Sequence, residues 1–321
     1  MARLYLITLL FSFINHFTRG VCASATFTLV NKCGYTVWPG ILSGAGTAPL
    51  SVTGFALHVG ESKIIEAPSS WGGRMWGRTN CTQDSTGVFS CVTGDCGSGK
   101  LECAGGNGAP PATLAEFKLD GDGGKDFYDV SLVDGYNLPM LVVPQGGSGP
   151  NCTTIRCVMD LNGTCPSELK VTGTGGQSVA CKSACDAFGQ AQYCCSGAYS
   201  NPDTCKPSKY AVVFKNACPH AYSYAYDDKT STFTCTGADY IITFCPSPST
   251  SQKSSSETQT PTSDDNNDNN PPLINGTMIY EGAAPFDESS AASTSVHVFR
   301  SQAIAGAVAV VAALWRLSQH F

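Results

Sequence analysis

The chain has 321 residues, of which 42% are hydrophobic and 14% charged, and its formal net charge is −6. This acidic balance, without a basic stripe or a run that mixes basic and aromatic residues, argues against a nucleic-acid-binding protein. Seventeen cysteines are the strongest signal in the composition, and they indicate an oxidising compartment in which disulfides persist.

The first predicted element is a secretory leader over residues 1–24. Arg3 supplies the basic start, the stretch from Leu4 to Phe17 is apolar, and Ala23 and Ala25 are small residues of the kind that a signal peptidase recognises. A membrane helix is the alternative, but the apolar run is shorter than the ~20 residues that a bilayer requires. We therefore expect the folded protein to begin near Ala25.

The remaining cysteines predict a framework of disulfides. Cys22 lies in the leader, which leaves sixteen cysteines between Cys33 and Cys245. An even number in a secreted chain predicts eight disulfides. Zinc binding is the competing interpretation, but secretion and the scarcity of histidine in this region favour disulfides. No metal or cofactor is expected.

Alternating residues predict strands across much of this region. Thr26–Val30 alternates with period two, as in a half-buried strand. Further β-rich runs, at spacings typical of an all-β sandwich, are Ser62–Ala67, Thr113–Leu119, Phe127–Val133, Met140–Val143, Tyr210–Lys215 and Tyr240–Phe244. The fold class predicted from this pattern is all-β.

Residues 152–217 differ in composition, because they contain many cysteines and few long apolar runs. Such a segment buries little core and must be held by disulfides. Its predicted helix runs over Ser178–Phe188, with Cys181 and Cys185 on one face and Gly189 ending it.

The C-terminal part of the chain predicts a stalk and a lipid-anchor signal. Residues 247–302 are rich in Pro, Ser, Thr, Asp and Asn, which is typical of a disordered and glycosylated segment. Residues 303–321 contain an apolar tail of only 13 residues, Ala303–Trp315, which is short for a span of a ~30 Å hydrocarbon core. Small residues, a polar spacer and an apolar tail form a glycosylphosphatidylinositol signal. The candidate attachment residues are Ser289, Ser290 and Ser293.

A tilted membrane span and a free, soluble form remain alternatives to the anchor, because polar residues follow the apolar tail. With the anchor, the protein is expected on the outer face of the plasma membrane, with the membrane as a partner through the lipid.

Four N-x-[ST] sequons predict N-glycosylation at Asn80, Asn151, Asn162 and Asn275. The first two contain a cysteine at the middle position, and its pairing competes with glycosylation. We expect Asn275, in the stalk, to be modified most readily.

A long run of glycines and cysteines provides a family resemblance. Gly87–Cys96, followed by Gly99 and Cys103, resembles the signature of the thaumatin-like, pathogenesis-related proteins. Similar segments are Asn31–Pro39, Trp76–Thr79, Thr113–Phe117, Tyr128–Asn137, Gln192–Cys195 and Ile242–Pro246. The resemblance covers residues 25–246 and excludes the stalk and the tail.

The resemblance implies a flattened β-sandwich core, a disulfide-rich lobe with short helices over about 152–217, and a cleft between them. It also implies how the cysteines pair, which their number alone leaves open. The implied pairs are Cys33–Cys245, Cys81–Cys91, Cys96–Cys103, Cys152–Cys235, Cys157–Cys218, Cys165–Cys181, Cys185–Cys194 and Cys195–Cys205.

In the family the cleft is commonly acidic, and motif matching places its residues on Arg74, Glu116, Asp129, Asp134 and Asp227. Asp129 and Asp134 are five residues apart, so on a regular strand they would point to opposite faces, and their convergence requires a bend. Relatives often carry an acid where this chain has His220, which would weaken the cleft if that acid belongs to it.

The function that the resemblance implies is defence by binding β-1,3-glucan or another wall glycan, with antifungal action. A weak endo-β-1,3-glucanase is the enzymatic alternative, with Glu116 and Asp129 as catalytic candidates. A basic protein could also bind an acidic cleft, and a tethered protein could serve wall structure or development. We expect a monomer.

Asp120–Asp126 resembles a calcium-binding loop, but Ser131 occupies the position of the bidentate Glu that such a loop requires.

Overall fold

The computed structural model describes residues 23–247. The predicted leader up to Cys22, the stalk beyond Ser247 and the apolar tail lie outside the described residues, as do Asn275 and the three serines proposed for anchor attachment. Among the described residues, no helix has the length and apolar character needed to cross a membrane.

One sheet has five strands in the order β3-β1-β13-β8-β9. Its strands are β1 (Ala23–Asn31), β3 (Ser62–Pro68), β8 (Met140–Gln145), β9 (Ile155–Cys157) and β13 (Asp239–Phe244). β1 pairs in parallel with β13, while the other pairs are antiparallel. In β1 the residues from Ala25 to Asn31 alternate between buried and half-buried, as the period-two pattern predicts.

The second sheet has six strands, with β12-β7-β6-β4-β2 as its path and β5 paired to β4. Its strands are β2 (Trp38–Ser43), β4 (Gly72–Gln83), β5 (Phe89–Thr93), β6 (Leu114–Lys118), β7 (Asp126–Ser131) and β12 (Phe233–Cys235). The pairs β2–β4, β4–β6 and β6–β7 are antiparallel.

An aromatic cluster joins the two sheets. Phe27 and Tyr240 come from the five-stranded sheet, and Phe117 and Tyr128 come from the six-stranded sheet. Ring centroids are 4.7 Å apart for Phe27 and Phe117, 5.1 Å for Phe117 and Tyr240, and 5.1 Å for Tyr128 and Tyr240. These distances are typical of packed aromatic pairs, so the cluster forms the centre of a β-sandwich core.

Strand β4 was not among the predicted strands, because three glycines and several polar residues mask it in the sequence. The glycines are required by close packing. A Cβ at Gly77 would lie 2.7 Å from Cδ2 of Leu138, and one at Gly73 would collide with the carbonyl oxygen of Leu42. The glycines allow neighbouring segments to pack closely against β4. This close packing, and not β-propensity, accounts for the residues found in the strand.

Eight disulfides are present, and the pairs are those that the family resemblance implies. Cys33–Cys245 has a sequence separation of 212, and the chain-entropy model assigns such a loop about 5 kcal/mol of stabilisation. The predicted all-β sandwich with eight disulfides is confirmed.

Short helices and a small hairpin occupy the cysteine-dense segment and its surroundings. The hairpin pairs β10 (Lys170–Thr172) with β11 (Ser178–Cys181). The helices are α1 (Leu161–Thr164), α2 (Ala184–Phe188), α3 (Ala191–Cys194), α4 (Lys209–Ala217) and α5 (Asp228–Ser231), with 3₁₀ turns at Asp122–Gly124 and Gly197–Tyr199.

The predicted helix over Ser178–Phe188 is wrong in its first half. Cys181 belongs to β11, where its backbone exchanges two hydrogen bonds with Tyr136. Helix α2 begins after Ser183, whose hydroxyl accepts a hydrogen bond from the N–H of Asp186 and so caps the helix. It ends at Gly189, which has a φ of 63°, as predicted.

The predicted strand over Tyr210–Lys215 is also wrong, because this segment lies within helix α4. Ser208 caps the helix by accepting a hydrogen bond from the N–H of Ala211. Tyr210, Ala211 and Phe214 are buried on one side, which is a helical period. The β-prone residues in the middle of the segment concealed this spacing.

We predict that Phe27→Ala lowers the free energy of unfolding by about 3–5 kcal/mol, because the change empties the centre of a fully buried cluster. The melting temperature under non-reducing conditions should fall by about 10 °C. Val88→Ala is the control, since Val88 is 48% exposed and its truncation should change stability by less than about 0.5 kcal/mol. Equal effects of the two changes would contradict the assignment of Phe27 to the core.

Candidate functional site

A row of polar side chains crosses three strands of the six-stranded sheet. Arg74 on β4 pairs with Glu116 on β6, and Glu116 pairs with Asp129 on β7. Residues directly opposite each other in a ladder project from the same face of the sheet, with Cβ atoms about 4.5–5.5 Å apart. The register therefore places a cation and two carboxyl groups side by side on the face that does not pack against the other sheet.

Arg74 holds two carboxylates of this site. Its Nη2 lies 3.2 Å from Oε1 of Glu116, and its Nη1 lies 3.7 Å from Oδ2 of Asp134. All three side chains are about one-third exposed, so these pairs are partly screened by water. The guanidinium group fixes the geometry of the site more than it adds to stability.

The turn after β7 brings Asp134 back to the row. Gly135 has a φ of 87°, and its N–H donates to the carbonyl of Leu132 at 2.9 Å. A Cβ at Gly135 would lie 2.7 Å from the carbonyl oxygen of Cys181, so both the conformation and the space favour glycine. This is the bend that the convergence of Asp129 and Asp134 requires.

Asp129 is the carboxyl group most disposed to keep a proton. Burial raises its pKa well above the ordinary value, and the neighbouring Glu116 carboxylate raises it further, against the opposing effect of Arg74. Its Oδ1 is buried and has no hydrogen-bond partner among the described residues. Burial also raises the pKa of Glu116 and of Asp134, with Arg74 opposing both shifts.

Tyr222 and Asp228 complete the lining and were not among the predicted residues. The Tyr222 hydroxyl donates to Oδ1 of Asp228 at 2.8 Å and also contacts the hydroxyl of Thr232. Burial raises the pKa of Tyr222 further above its ordinary value, so the phenol stays a donor at physiological pH.

Asp227 does not line the cleft. Its Oδ2 lies 2.9 Å from Nζ of Lys215 and accepts hydrogen bonds from the N–H and hydroxyl of Ser223. Its Oδ1 accepts from the hydroxyl of Thr230. Asp227 thus fixes the loop at the start of α5, and the adjacent Asp228 faces the cleft instead. Asp227 precedes α5 without capping it by a side-chain hydrogen bond, so no signal in the sequence separates it from its neighbour Asp228.

His220 also lies outside the cleft lining. It is exposed and packs edge-on against Phe233, with ring centroids 5.9 Å apart. A histidine at this position therefore leaves the charge of the cleft unchanged.

The cleft continues into a second cavity. The first cavity has a volume of about 300 Å³, and the second, of about 520 Å³, shares Arg74 and Glu116 with it and extends to Lys118. Gly44, Gly72 and Gly73 are among the residues that line the second cavity. The polar row thus stands in the middle of an elongated groove, a shape that suits a segment of a linear polymer better than a compact ligand.

Between residues 23 and 247, no group of His, Cys, Asp or Glu is arranged to hold a metal ion. The carboxyl groups of the cleft are spaced along a sheet and share an arginine. These groups can form hydrogen bonds with polar ligands and can transfer protons.

Comparison with known proteins matches this chain to a family profile and to plant relatives of the same family. Residues 31–246 match the profile of the Thaumatin family. The chain is 55% identical over 249 residues to Thaumatin-like protein 1 of Arabidopsis thaliana, which covers 76% of this chain and 94% of that protein. It is 60% identical over 230 residues to Pathogenesis-related thaumatin-like protein 3.5 of Cryptomeria japonica, with coverage of 71% and 93%.

A protein of Prunus avium named Glucan endo-1,3-beta-glucosidase is 53% identical over 228 residues, with coverage of 71% of this chain and 93% of that protein. The range matched by the family profile contains every residue of the cleft lining and all eight disulfides.

We predict that ionisation of Asp129 costs stability. A carboxyl group whose pKa is raised by folding binds its proton more tightly in the folded state, so the free energy of unfolding falls as pH rises from 3.8, the ordinary value, through the raised pKa. Asp129→Asn removes the part of the decline due to Asp129, about 1.4 kcal/mol for each unit by which folding raises its pKa, and leaves the parts due to Glu116 and Asp134. Guanidinium unfolding from about pH 3 to about pH 8 measures the slopes.

The exposed Asp122 supplies the control, since Asp122→Asn should leave the slope of the wild type intact. If Asp129→Asn also leaves the slope intact, the carboxyl group of Asp129 is not the buried proton-binding group described above.

Proposed function

Because the chain belongs to the thaumatin family, we propose that it is a secreted, cell-surface defence protein that binds wall β-1,3-glucan through the acidic groove. The observation that carries the proposal is the row of Arg74, Glu116 and Asp129 in the middle of that groove. Eight disulfides fit an extracellular protein. Attachment by a glycosylphosphatidylinositol anchor belongs to the same proposal and rests on the C-terminal sequence.

The hydrogen-bonding capacity of the row matches a polyhydroxylated ligand. Each sugar hydroxyl can donate one hydrogen bond and accept others. The carboxylate of Glu116 accepts, the guanidinium of Arg74 donates, and a protonated Asp129 does both. A glucan chain lying along the groove would find all of these partners within two neighbouring cavities.

The charge state of the groove favours a neutral ligand over a basic protein. Arg74 offsets part of the charge of Glu116 and Asp134, and the raised pKa of Asp129 lowers its charge further. The net field is therefore weaker than the number of carboxyl groups suggests. Hydrogen bonding, which is less sensitive to salt than ion pairing, becomes the main source of affinity.

We predict that the double variant Glu116→Gln, Asp129→Asn loses at least about ten-fold in affinity for insoluble β-1,3-glucan. The two changes weaken the hydrogen bonds that the carboxyl groups of Glu116 and Asp129 would form with the sugar hydroxyls. Co-sedimentation of the full secreted chain with the glucan measures the change.

The matched control is Glu66→Gln, Asp122→Asn, which makes the same chemical changes at exposed positions outside the groove. Equal binding by the two double variants would remove the groove from the proposed function. Loss of binding at high salt for every variant would instead favour ionic association.

Weak hydrolysis of β-1,3-glucan is the second candidate function. Two features favour it: Asp129, whose pKa is raised by burial, lies beside an ion-paired carboxylate, Glu116, and the Prunus avium relative is named as a glucosidase. Paired carboxyl groups with different proton affinities can serve as acid and as nucleophile or base in glycoside hydrolysis.

For this activity we predict that new reducing ends form from laminarin and that Asp129→Asn lowers the rate by about 10²-fold or more, as expected on loss of a general acid. The pH profile should fall as Asp129 ionises. A rate that is the same for wild type and Asp129→Asn would assign the activity to a contaminant, and glucan binding without any reducing ends would leave binding as the sole function.

A further inference from the structure

A cavity of about 610 Å³ lies outside the acidic groove and shares no lining residue with it. One wall comes from the core sheet, with Trp38 at the start of β2 and Asn80 and Thr82 on β4. The opposite wall comes from the loop between β10 and β11, with Thr174 and Gln177. Tyr35 closes one side. A volume of this size accommodates a small ligand.

The lining combines aromatic rings with neutral polar groups. Tyr35 is 47% exposed, and Trp38 is half-buried. No lysine, arginine, histidine or carboxylic acid lines the cavity. Aromatic faces with amide and hydroxyl groups suit a neutral saccharide, whereas nothing here would balance a charged ligand.

Several of these polar groups have no hydrogen-bond partner within residues 23–247. The indole N–H of Trp38 and the side chains of Asn80, Thr82, Thr174 and Gln177 form no hydrogen bond with any other described residue. Five polar groups without a protein partner thus surround one cavity, where they are available to form hydrogen bonds with a polar occupant.

Asn80 and Thr82 are the first and third residues of a sequon, Asn80-Cys81-Thr82, and both line the cavity. We propose that Asn80 carries an N-linked glycan whose first N-acetylglucosamine units lie in this cavity, against Tyr35 and Trp38. The donor is a polyprenyl diphosphate oligosaccharide. Nδ2 of Asn80 forms a bond to the anomeric carbon, the bond from that carbon to the diphosphate oxygen breaks, Nδ2 loses a proton, and the lipid diphosphate departs.

The structure separates Asn80 from the other described sequons. Nδ2 of Asn162 donates to the carbonyl of Asn137 at 3.1 Å, and its Oδ1 is buried, so a glycan there would break a folded contact. Asn151 is exposed but does not line this cavity. Asn80 is exposed and has a free amide inside a saccharide-sized space, so its glycan would be held by tethering as well as by contacts.

The backbone of Asn80 has a φ of 51°, a conformation that asparagine tolerates better than most residues. Substituting Asn80 would therefore disturb the strand as well as the glycan. Thr82 is the better target, because Thr82→Val is isosteric and destroys the sequon, while Thr82→Ser preserves it. Neither variant changes Cys81, which is paired with Cys91.

The first test is the occupancy of Asn80 in the full chain secreted by plant cells. Peptides treated with peptide N-glycosidase in ¹⁸O-labelled water are analysed by mass spectrometry, which marks each asparagine that carried a glycan. We expect the label at Asn80 in the wild type and in Thr82→Ser and its absence in Thr82→Val. An unmodified Asn80 in wild-type protein would overturn the proposal.

The second test asks whether the glycan lies in the cavity. Native wild-type protein should release the Asn80 glycan to the glycosidase more slowly than Thr174→Ala, Gln177→Ala, by about 2- to 10-fold, the effect of one lost hydrogen bond. Thr172→Ala is the control, since Thr172 is exposed on the same hairpin but does not line the cavity. Equal release rates in all three proteins would show a glycan that extends into solvent and would overturn its placement in the cavity.

Discussion

Burial of one face of the six-stranded sheet fixes the position of everything on the other face. Phe117 and Tyr128 point into the aromatic cluster between the sheets, so the alternate residues Glu116 and Asp129 must point into the groove. A slip of one residue in either strand would exchange the two sets, at the cost of the whole aromatic core. The core therefore determines the position of the polar row.

The sequence was informative where one physical signal dominated. Period-two alternation located β1, and the cysteine pattern led to the family and to the eight pairs. It failed where two signals competed: β-prone residues hid helix α4, and glycines required by close packing hid β4, the strand that carries Arg74. The pair Asp227 and Asp228 shows the same limit, because only the hydrogen bonds of Asp227 show which carboxyl group is occupied.

The carboxyl groups of the groove differ in state because one arginine cannot reach all of them. Arg74 lies within 4 Å of Glu116 and Asp134, whereas at Asp129 burial and a carboxylate neighbour outweigh its effect on the pKa. One arginine thus favours the charged, accepting form of Glu116 and Asp134, while Asp129 favours the protonated form, which can also donate. Which carboxyl group accepts and which one donates depends on strand register and burial. It cannot be predicted from the number of acidic residues in the sequence.

The parallel pairing of β1 with β13 has a mechanical consequence. It places Cys33 at the end of the first strand beside Cys245 at the end of the last, and the disulfide joins them. Tension applied to the chain beyond Cys245 is therefore shared between β13, through Phe244, and the end of β1, through the disulfide. A protein pulled from its C-terminal end would bear force as a closed ring, and the sheet behind the disulfide would not unzip strand by strand.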